Sequence, residues 1–101
     1  MRVIVMFDLP VETAEERSAY SRFHKELIKD GYVMMQESVY CKLTMTPLAA
    51  DLARQRLKKL CPKQGTVQVM TITEKQYAEI EYIIGGPTIL TLDSTDRLVI
   101  F

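Results

Sequence analysis

The stretch RVIVMFD at residues 2–8 decides the fold of this 101-residue chain. Val3 to Phe7 are all apolar, so the stretch lacks the alternation that is typical of a strand with one solvated face. A strand of this kind has both of its faces covered. Pro10 ends it, because proline has no backbone N–H to donate and bends the chain. The pattern therefore predicts a central β-strand that ends in a carboxylate, Asp8.

The next element along the chain is a helix, predicted over residues 14–30. Thr13 and Glu16 have the spacing of a capping box at its start, and Gly31 is a suitable cap at its end. Four apolar side chains recur along one stripe of this helix: Tyr20, Phe23, Leu27 and Ile28. Two short strands, residues 32–35 and 38–43, follow with a break or bulge at Gln36–Glu37 between them.

A second helix is predicted to begin at Thr46–Pro47, where a capping hydroxyl precedes a proline at the first helical position. Pro62 ends it, and the leucines along it are Leu48, Leu52, Leu57 and Leu60. Residues 65–73 are predicted to form a fourth strand. A capping-box pair at Thr73 and Gln76 then predicts a short helical turn, whereas residues 80–84 fit either a strand or a helix end.

The order β-α-β-β-α-β predicts an α/β (α+β) ferredoxin-like fold over residues 1–84, with both helices on one face of an antiparallel sheet. The apolar run of the first strand means that the other face is covered as well, and a second subunit is the simplest cover. Residues 85–101 are predicted to be an extension beginning with a break at Gly85–Gly86–Pro87. Within it, residues 88–92 and 97–101 are predicted as short strands that pair with the partner subunit's sheet.

Composition excludes several classes of protein. No apolar run approaches the roughly 18 residues of a membrane span, and the N-terminus lacks the features of a signal peptide. We therefore expect a cytoplasmic protein that does not associate with membranes. Two separated cysteines, Cys41 and Cys61, and a single histidine, His24, argue against a zinc site, and both thiols are expected to be buried and reduced.

The net charge of zero conceals a basic middle segment, residues 42–63, with six basic side chains and one acidic one. Such a segment is most often a solvated helix face, but each Lys or Arg that meets a phosphate also releases condensed counterions. Arg54 and Lys58 are four residues apart on the second helix, with Lys59 adjacent. If this face is exposed on both subunits, it suits the backbone of a nucleic-acid duplex.

Asp8 is the main candidate for chemistry. If two subunits pack sheet to sheet about a two-fold axis, two copies of Asp8 can approach and bind a hard cation such as Mg²⁺. The cation could polarise a phosphodiester and activate water. The alternative is a carboxylate that caps the turn into Leu9–Pro10. Arg17 could bind a phosphate bidentately. The alternatives are an i,i+4 neighbour of Thr13 or an exposed pair with nearby glutamates.

The sequence gives weaker grounds for a functional role of three other polar residues. His24 has no partner in the sequence that suggests a catalytic pair, so a structural or surface role is expected. Ser38 and Tyr40 lie in a predicted strand and could meet nucleic acid or Asp8, and the sequence does not choose between these outcomes. Tyr40 also fits a core position.

Together, the strand ending in Asp8, the helix bearing Arg17, Gly31 and the sequence QESVY at residues 36–40 resemble the CRISPR-associated protein 2 family, in the version found in type II systems. Tyr40 stands where the family usually has phenylalanine. The resemblance implies a ferredoxin-like homodimer whose C-terminal strand crosses to the partner. It also implies a partnership with CRISPR-associated protein 1, the integrase, and binding of double-stranded DNA during spacer acquisition.

The resemblance further implies a metal-dependent endonuclease that acts on RNA or double-stranded DNA. Asp8 would be the catalytic ligand of Mg²⁺ or another divalent cation, and Arg17 a phosphate contact. Three hypotheses remain open: an endonuclease with paired Asp8, a non-catalytic scaffold of the integrase complex, and a toxin-like ribonuclease that cleaves single-stranded RNA without an integrase.

Overall fold

The structure, a computed structural model, describes residues 1–86. These residues form elements in the order β1 (Arg2–Asp8), α1 (Ala14–Lys29), β2 (Val33–Gln36), β3 (Val39–Leu43), α2 (Pro47–Leu60), β4 (Thr66–Ile72) and α3 (Glu74–Ala78). Residues 80–84 form neither a helix nor a strand. The two predicted C-terminal strands, residues 88–92 and 97–101, lie outside the described residues.

The four strands form one antiparallel sheet in the order β2-β3-β1-β4. The apolar strand β1 is therefore central, as its sequence predicts. Val3, Val5 and Phe7 point toward the helices and are at most 7% exposed. This arrangement confirms the predicted ferredoxin-like fold.

The ends of α1 form by local hydrogen bonding. The Thr13 hydroxyl accepts from the backbone N–H of Glu16 at 3.0 Å, and the Glu16 carboxylate accepts from the N–H of Thr13 at 2.9 Å. At the other end Gly31 has φ +97°, and the N–H groups of Gly31 and Tyr32 bond back to the last turn of the helix. The capping box and the glycine cap predicted from the sequence are both confirmed.

The core lies between the sheet and the two long helices, and Phe7 packs among its aromatic side chains. Its ring packs against Tyr20, Phe23 and Tyr40, with centroids 5.9, 5.1 and 5.6 Å away. Such aromatic contacts bury a large apolar area at the end of β1 nearest Asp8. Ile28, expected on the same stripe of α1, is 47% exposed and lies at the edge of the packed face.

The leucines of α2 divide between two faces of the helix. Leu57 is 3% exposed and lies in the core with Ala50 and Ala53, whereas Leu48 and Leu52 are 67% and 51% exposed. At about 100° per residue, Leu48 lies about 200° around the helix from Ala50. Because Ala50, Ala53 and Leu57 occupy the face of α2 that packs in the core, the two leucines in the first half of the helix point outward.

The sheet face opposite the helices carries Ile4, Met6 and Asp8 from β1, and we call it the open face. Ile4 is 4% exposed, Met6 is half-buried, and Met70, which pairs with Ile4 from β4, is 48% exposed. Ile4, Met6 and Met70 therefore form an apolar patch on this face that is only partly covered within residues 1–86. No helix in that part of the chain has the length and apolarity to span a membrane.

Candidate metal and nucleic-acid site

Asp8 is the last residue of β1 and lies opposite Thr66 of β4. Because side chains alternate along a strand, Asp8 shares the open face with Met6 while Phe7 points into the core. The Asp8 side chain is exposed, and its carboxylate makes no hydrogen bond or ion pair within residues 1–86. In the described residues, therefore, Asp8 does not cap the turn that follows it, which was the alternative to a chemical role.

The backbone around Asp8 is fixed from both neighbouring strands. On the β4 side, Gly65 has φ +91° and passes so close that a Cβ atom on it would lie 2.7 Å from the backbone oxygen of Asp8. On the β3 side, Ser38 has φ +64° and its carbonyl accepts a hydrogen bond from the N–H of Phe7 at 3.1 Å. Two residues with left-handed backbone conformations thus hold the end of β1.

Neither of these contacts was assigned from the sequence. From the sequence, Gly65 is predicted only to lie in the fourth strand, and Ser38 has several possible roles. The available signal for Gly65 was a glycine directly before a strand, which often marks a close backbone approach. Ser38 occupies the turn between β2 and β3, next to a bulge between Met34 and Gln36.

The donor set at Asp8 suits a hard, hydrated cation. Within residues 1–86, no group of three or more His, Cys, Asp or Glu side chains is placed to hold a metal ion. Mg²⁺ keeps several of its waters and needs only one or two protein carboxylates, so an exposed and unpaired aspartate is a suitable ligand. Within residues 1–86, Asp8 offers one such carboxylate.

Arg17 lies on the first turn of α1 and contacts the loop that follows Asp8. Its Nη1 donates to the backbone carbonyls of Val11 and Glu12 at 3.2 and 3.0 Å. The exposed pair with a glutamate carboxylate, one of the alternatives from the sequence, is not formed within residues 1–86. The structure thus brings Arg17 to the chain segment that connects Asp8 to the helix.

The candidate basic residues of α2 have different surroundings. Arg54 donates to the Thr71 hydroxyl at 2.6 Å and to the carboxylate of Asp51, and its side chain is 34% exposed. Lys58 and Lys59 are exposed and have no ion-pair partner within residues 1–86. Of the three predicted nucleic-acid contacts, Arg54 is therefore bound to neighbouring side chains, whereas Lys58 and Lys59 are free to contact a phosphate.

Arg56 is a further cation of the basic segment that already has a partner. Its Nε donates to the Asp30 carboxylate at 3.0 Å, and a second guanidinium nitrogen donates to the other oxygen. These hydrogen bonds and the charge of Asp30 raise the pKa of Arg56. Two of the six cations in residues 42–63 are thus neutralised by aspartates, which weakens the positive field of this segment.

His24 and Tyr40 form a pair on the helix side of the sheet. The Nδ1 atom of His24 lies 2.5 Å from the hydroxyl of Tyr40, and Tyr40 is 2% exposed. Burial raises the pKa of the Tyr40 phenol. Because the sheet separates Tyr40 from the open face, a contact between the Tyr40 side chain and Asp8 is excluded.

The two cysteines are free thiols. Cys41 is buried and Cys61 is half-buried, and burial raises the pKa of both side chains. The Nη1 of Arg2 lies 3.7 Å from the sulfur of Cys41. Cys41 is thus buried as expected, whereas Cys61, which was also expected to be buried, is only partly covered.

Comparisons with known proteins all match this chain to one family. Residues 1–80 match the family model described as CRISPR associated protein Cas2. A protein of Treponema denticola named CRISPR-associated endoribonuclease Cas2 is 49% identical over 100 residues, which is 99% of each chain. A protein of Streptococcus mutans with the same name is 44% identical over 98% of this chain and 91% of its own length.

Solved structures agree with the fold. The crystal structure of Streptococcus pyogenes Cas2 at pH 6.5 superposes with a TM-score of 0.62 and 21% sequence identity. The match covers 82% of this chain and 99% of that one.

Proposed function

This chain belongs to the family of CRISPR-associated protein Cas2, and we propose that it is a magnesium-dependent endonuclease that works as a homodimer in spacer acquisition. The observation that carries the proposal is the exposed, unpaired carboxylate of Asp8 at the end of the central strand. Its substrate is RNA or double-stranded DNA. RNA is supported by the name endoribonuclease that the relatives carry.

Dimerisation through the open face supplies the second ligand. The face is apolar around Ile4 and Met6, and Met70 at its β4 side is 48% exposed. Covering this surface with a second copy removes apolar area from water and brings two copies of Asp8 to the same edge of the interface. The paired carboxylates would hold Mg²⁺, and the chemistry it would supply there is Lewis-acid activation of a phosphodiester and of water.

Duplex DNA is proposed to contact the lysines of α2. Lys58 and Lys59 are exposed, adjacent in sequence and without an ion-pair partner within residues 1–86. Two copies in a dimer give two pairs of cations, which suits phosphate contacts that position a duplex without reading its sequence. The protein partner proposed for this assembly is CRISPR-associated protein 1, the integrase.

A non-catalytic scaffold is the second candidate, and one observation favours it. Asp8 is a lone carboxylate, with no cluster of three or more metal-binding side chains in residues 1–86. Hydrolysis of phosphodiesters by two metal ions uses more ligands than this. A scaffold would bind duplex DNA and the integrase and would leave Asp8 without a chemical role.

The test compares Asp8→Asn with Glu15→Gln, which removes an exposed carboxylate from α1. Cleavage of labelled duplex DNA and single-stranded RNA is followed with Mg²⁺ or EDTA, and the oligomeric state is measured in parallel. The endonuclease proposal predicts that Asp8→Asn abolishes Mg²⁺-dependent cleavage, whereas Glu15→Gln cleaves normally and both variants remain dimers. Absent cleavage in the unmodified protein, or equal cleavage in all three, supports the scaffold.

A further inference from the structure

The connection between Asp8 and α1, residues 9–13, is hydrogen-bonded by two neighbouring side chains of that helix. The carboxylate oxygen Oε1 of Glu16 accepts from the backbone N–H groups of Glu12 and Thr13, both at 2.9 Å. The Nη1 of Arg17 donates to the carbonyls of Val11 and Glu12. An acidic side chain thus binds the donors of this connection and a basic side chain binds its acceptors.

The start of this connection is held by different interactions from the part that follows. Leu9 is 7% exposed and lies in the core, while Val11 is 47% exposed. Apolar packing therefore holds the Asp8 end, and hydrogen bonds to Glu16 and Arg17 hold the part that follows. Without these bonds the exposed backbone groups would be bonded to water, and the connection would lose its single conformation.

We propose that Arg17 is a positioning residue for Asp8 and not a phosphate contact. The proposal rests on the function proposed for Asp8. By fixing the carbonyls of Val11 and Glu12, Arg17 sets the path of the chain three and four residues after Asp8, beyond the end that Leu9 holds. Nη1 cannot bind a phosphate without releasing both carbonyls, so a phosphate contact that keeps them would have to use Nε and Nη2.

Positioning and phosphate binding predict different kinetics. A positioning role affects the geometry of the reacting groups, so loss of Arg17 lowers kcat by roughly tenfold to a hundredfold with little change in KM. A phosphate contact affects binding instead. Its loss weakens duplex affinity and reduces the slope of log affinity against log salt by about one unit.

The experiment compares Arg17→Ala, Arg17→Lys and Arg17→citrulline in the full chain. Citrulline is close in shape to arginine and retains N–H donors but carries no charge, whereas lysine keeps the charge and lacks the planar group. The native Cys41 allows a synthetic segment of residues 1–40 to be ligated to residues 41–101. Arg22→Ala, which removes another exposed arginine of α1, is the matched control.

Three readouts are taken: kcat and KM for Mg²⁺-dependent cleavage, duplex affinity in EDTA over a range of salt concentrations, and the affinity of Mn²⁺ at Asp8 from line broadening in NMR spectra. We expect Arg17→Ala to lower kcat and weaken Mn²⁺ binding, citrulline to restore both to near the unmodified values, and lysine to restore them less well. Duplex affinity and salt slope are expected to match those of Arg22→Ala.

A loss of duplex affinity and salt slope in the citrulline protein, with lysine restoring both, overturns the proposal in favour of a phosphate contact. If the unmodified protein binds Mn²⁺ at Asp8 but does not cleave, the endonuclease proposal fails and the Mn²⁺ affinities alone decide the role of Arg17. If Asp8 binds no Mn²⁺ and nothing is cleaved, both proposals fail. Should Arg17→Ala not fold, the citrulline and lysine proteins still separate donor geometry from charge.

Discussion

Gly65 and the backbone oxygen of Asp8 are so close that no side chain fits between them. A Cβ atom on Gly65 would lie 2.7 Å from that oxygen and 2.9 Å from Cδ2 of Leu9. The start of β4 therefore touches the end of β1 at the residue that carries the proposed chemistry, and the position requires a glycine.

We expect Gly65→Ala to lower the free energy of unfolding by more than about 2 kcal/mol, because a steric clash adds to the cost of the left-handed backbone. Gly85→Ala is the matched control: Gly85 has φ +81°, but nothing lies within 4 Å of its added Cβ. Its cost is expected to be about 1 kcal/mol, from backbone strain alone. Urea denaturation measures both, and equal costs would show that the contact with Asp8 relaxes without penalty.

The outward and inward leucines of α2 are expected to contribute differently to the free energy of unfolding. Leu57→Ala leaves a cavity in the core and is expected to cost about 2–5 kcal/mol. Leu48→Ala, on the exposed side of the same helix, is expected to change the free energy of unfolding by less than about 0.5 kcal/mol. Thermal or urea unfolding of the two variants is the measurement. Similar large losses would mean that Leu48 is covered in solution, for example by a partner subunit.

The buried phenol of Tyr32 is expected to make stability depend on pH in alkaline solution. Burial raises the pKa of Tyr32 to about 12, and the charge of Asp30 acts in the same direction. The unfolded chain loses this proton near pH 10 while the folded chain keeps it, so folding stability is full below pH 10 and falls as pH rises toward 12. We expect this group to account for a loss of about 1–2 kcal/mol over that range.

Tyr32→Phe provides the control for that measurement. The Tyr32 hydroxyl has no hydrogen-bond partner within residues 1–86, so its removal is expected to be neutral or slightly stabilising at pH 7. The variant should lose stability less steeply than the unmodified protein between pH 10 and 12 when both are unfolded with urea. A loss of more than about 1 kcal/mol at pH 7 would indicate that the hydroxyl is bonded.

The cations of α2 are expected to separate into binding and structural groups. The double substitution Lys58→Ala, Lys59→Ala should weaken duplex affinity and reduce its salt dependence by up to about two units of slope, with little effect on stability. Arg54→Ala is expected to lower stability by about 1 kcal/mol, because it removes the hydrogen bond to Thr71. Fluorescence anisotropy at several salt concentrations and urea denaturation distinguish the two. A salt slope that falls only in Arg54→Ala would reverse the assignment.

Much of the fold follows from local patterns that the sequence contains. The capping box at Thr13 and Glu16, the glycine cap at Gly31 and the helix start at Thr46–Pro47 all form as predicted, since each depends on residues within one turn. The continuous apolar run of β1 also correctly predicted a central strand. Its last residue, Asp8, was identified for the same reason, because a carboxylate stands out at the end of such a run.

The contacts around Asp8 depend on residues far apart in the chain. Gly65 reaches Asp8 because β4 pairs with β1, and Ser38 reaches Phe7 because β3 pairs with it on the other side. No local pattern contains this information. The same holds for the basic segment, where only the packing of α2 against α1 and β4 pairs Arg56 with Asp30 and Arg54 with Thr71.

The sequence by itself determined the order of the elements, their caps, the central position of β1 and the candidate carboxylate, because hydrophobic periodicity and capping depend on neighbours in the chain. Only the tertiary structure decided which leucines of α2 are buried, which cations remain free, that Tyr40 lies on the other side of the sheet from Asp8, and that Arg17 bonds the loop after it. These outcomes depend on how closely the packed elements approach, and that distance is set by all of the side chains at the contact together.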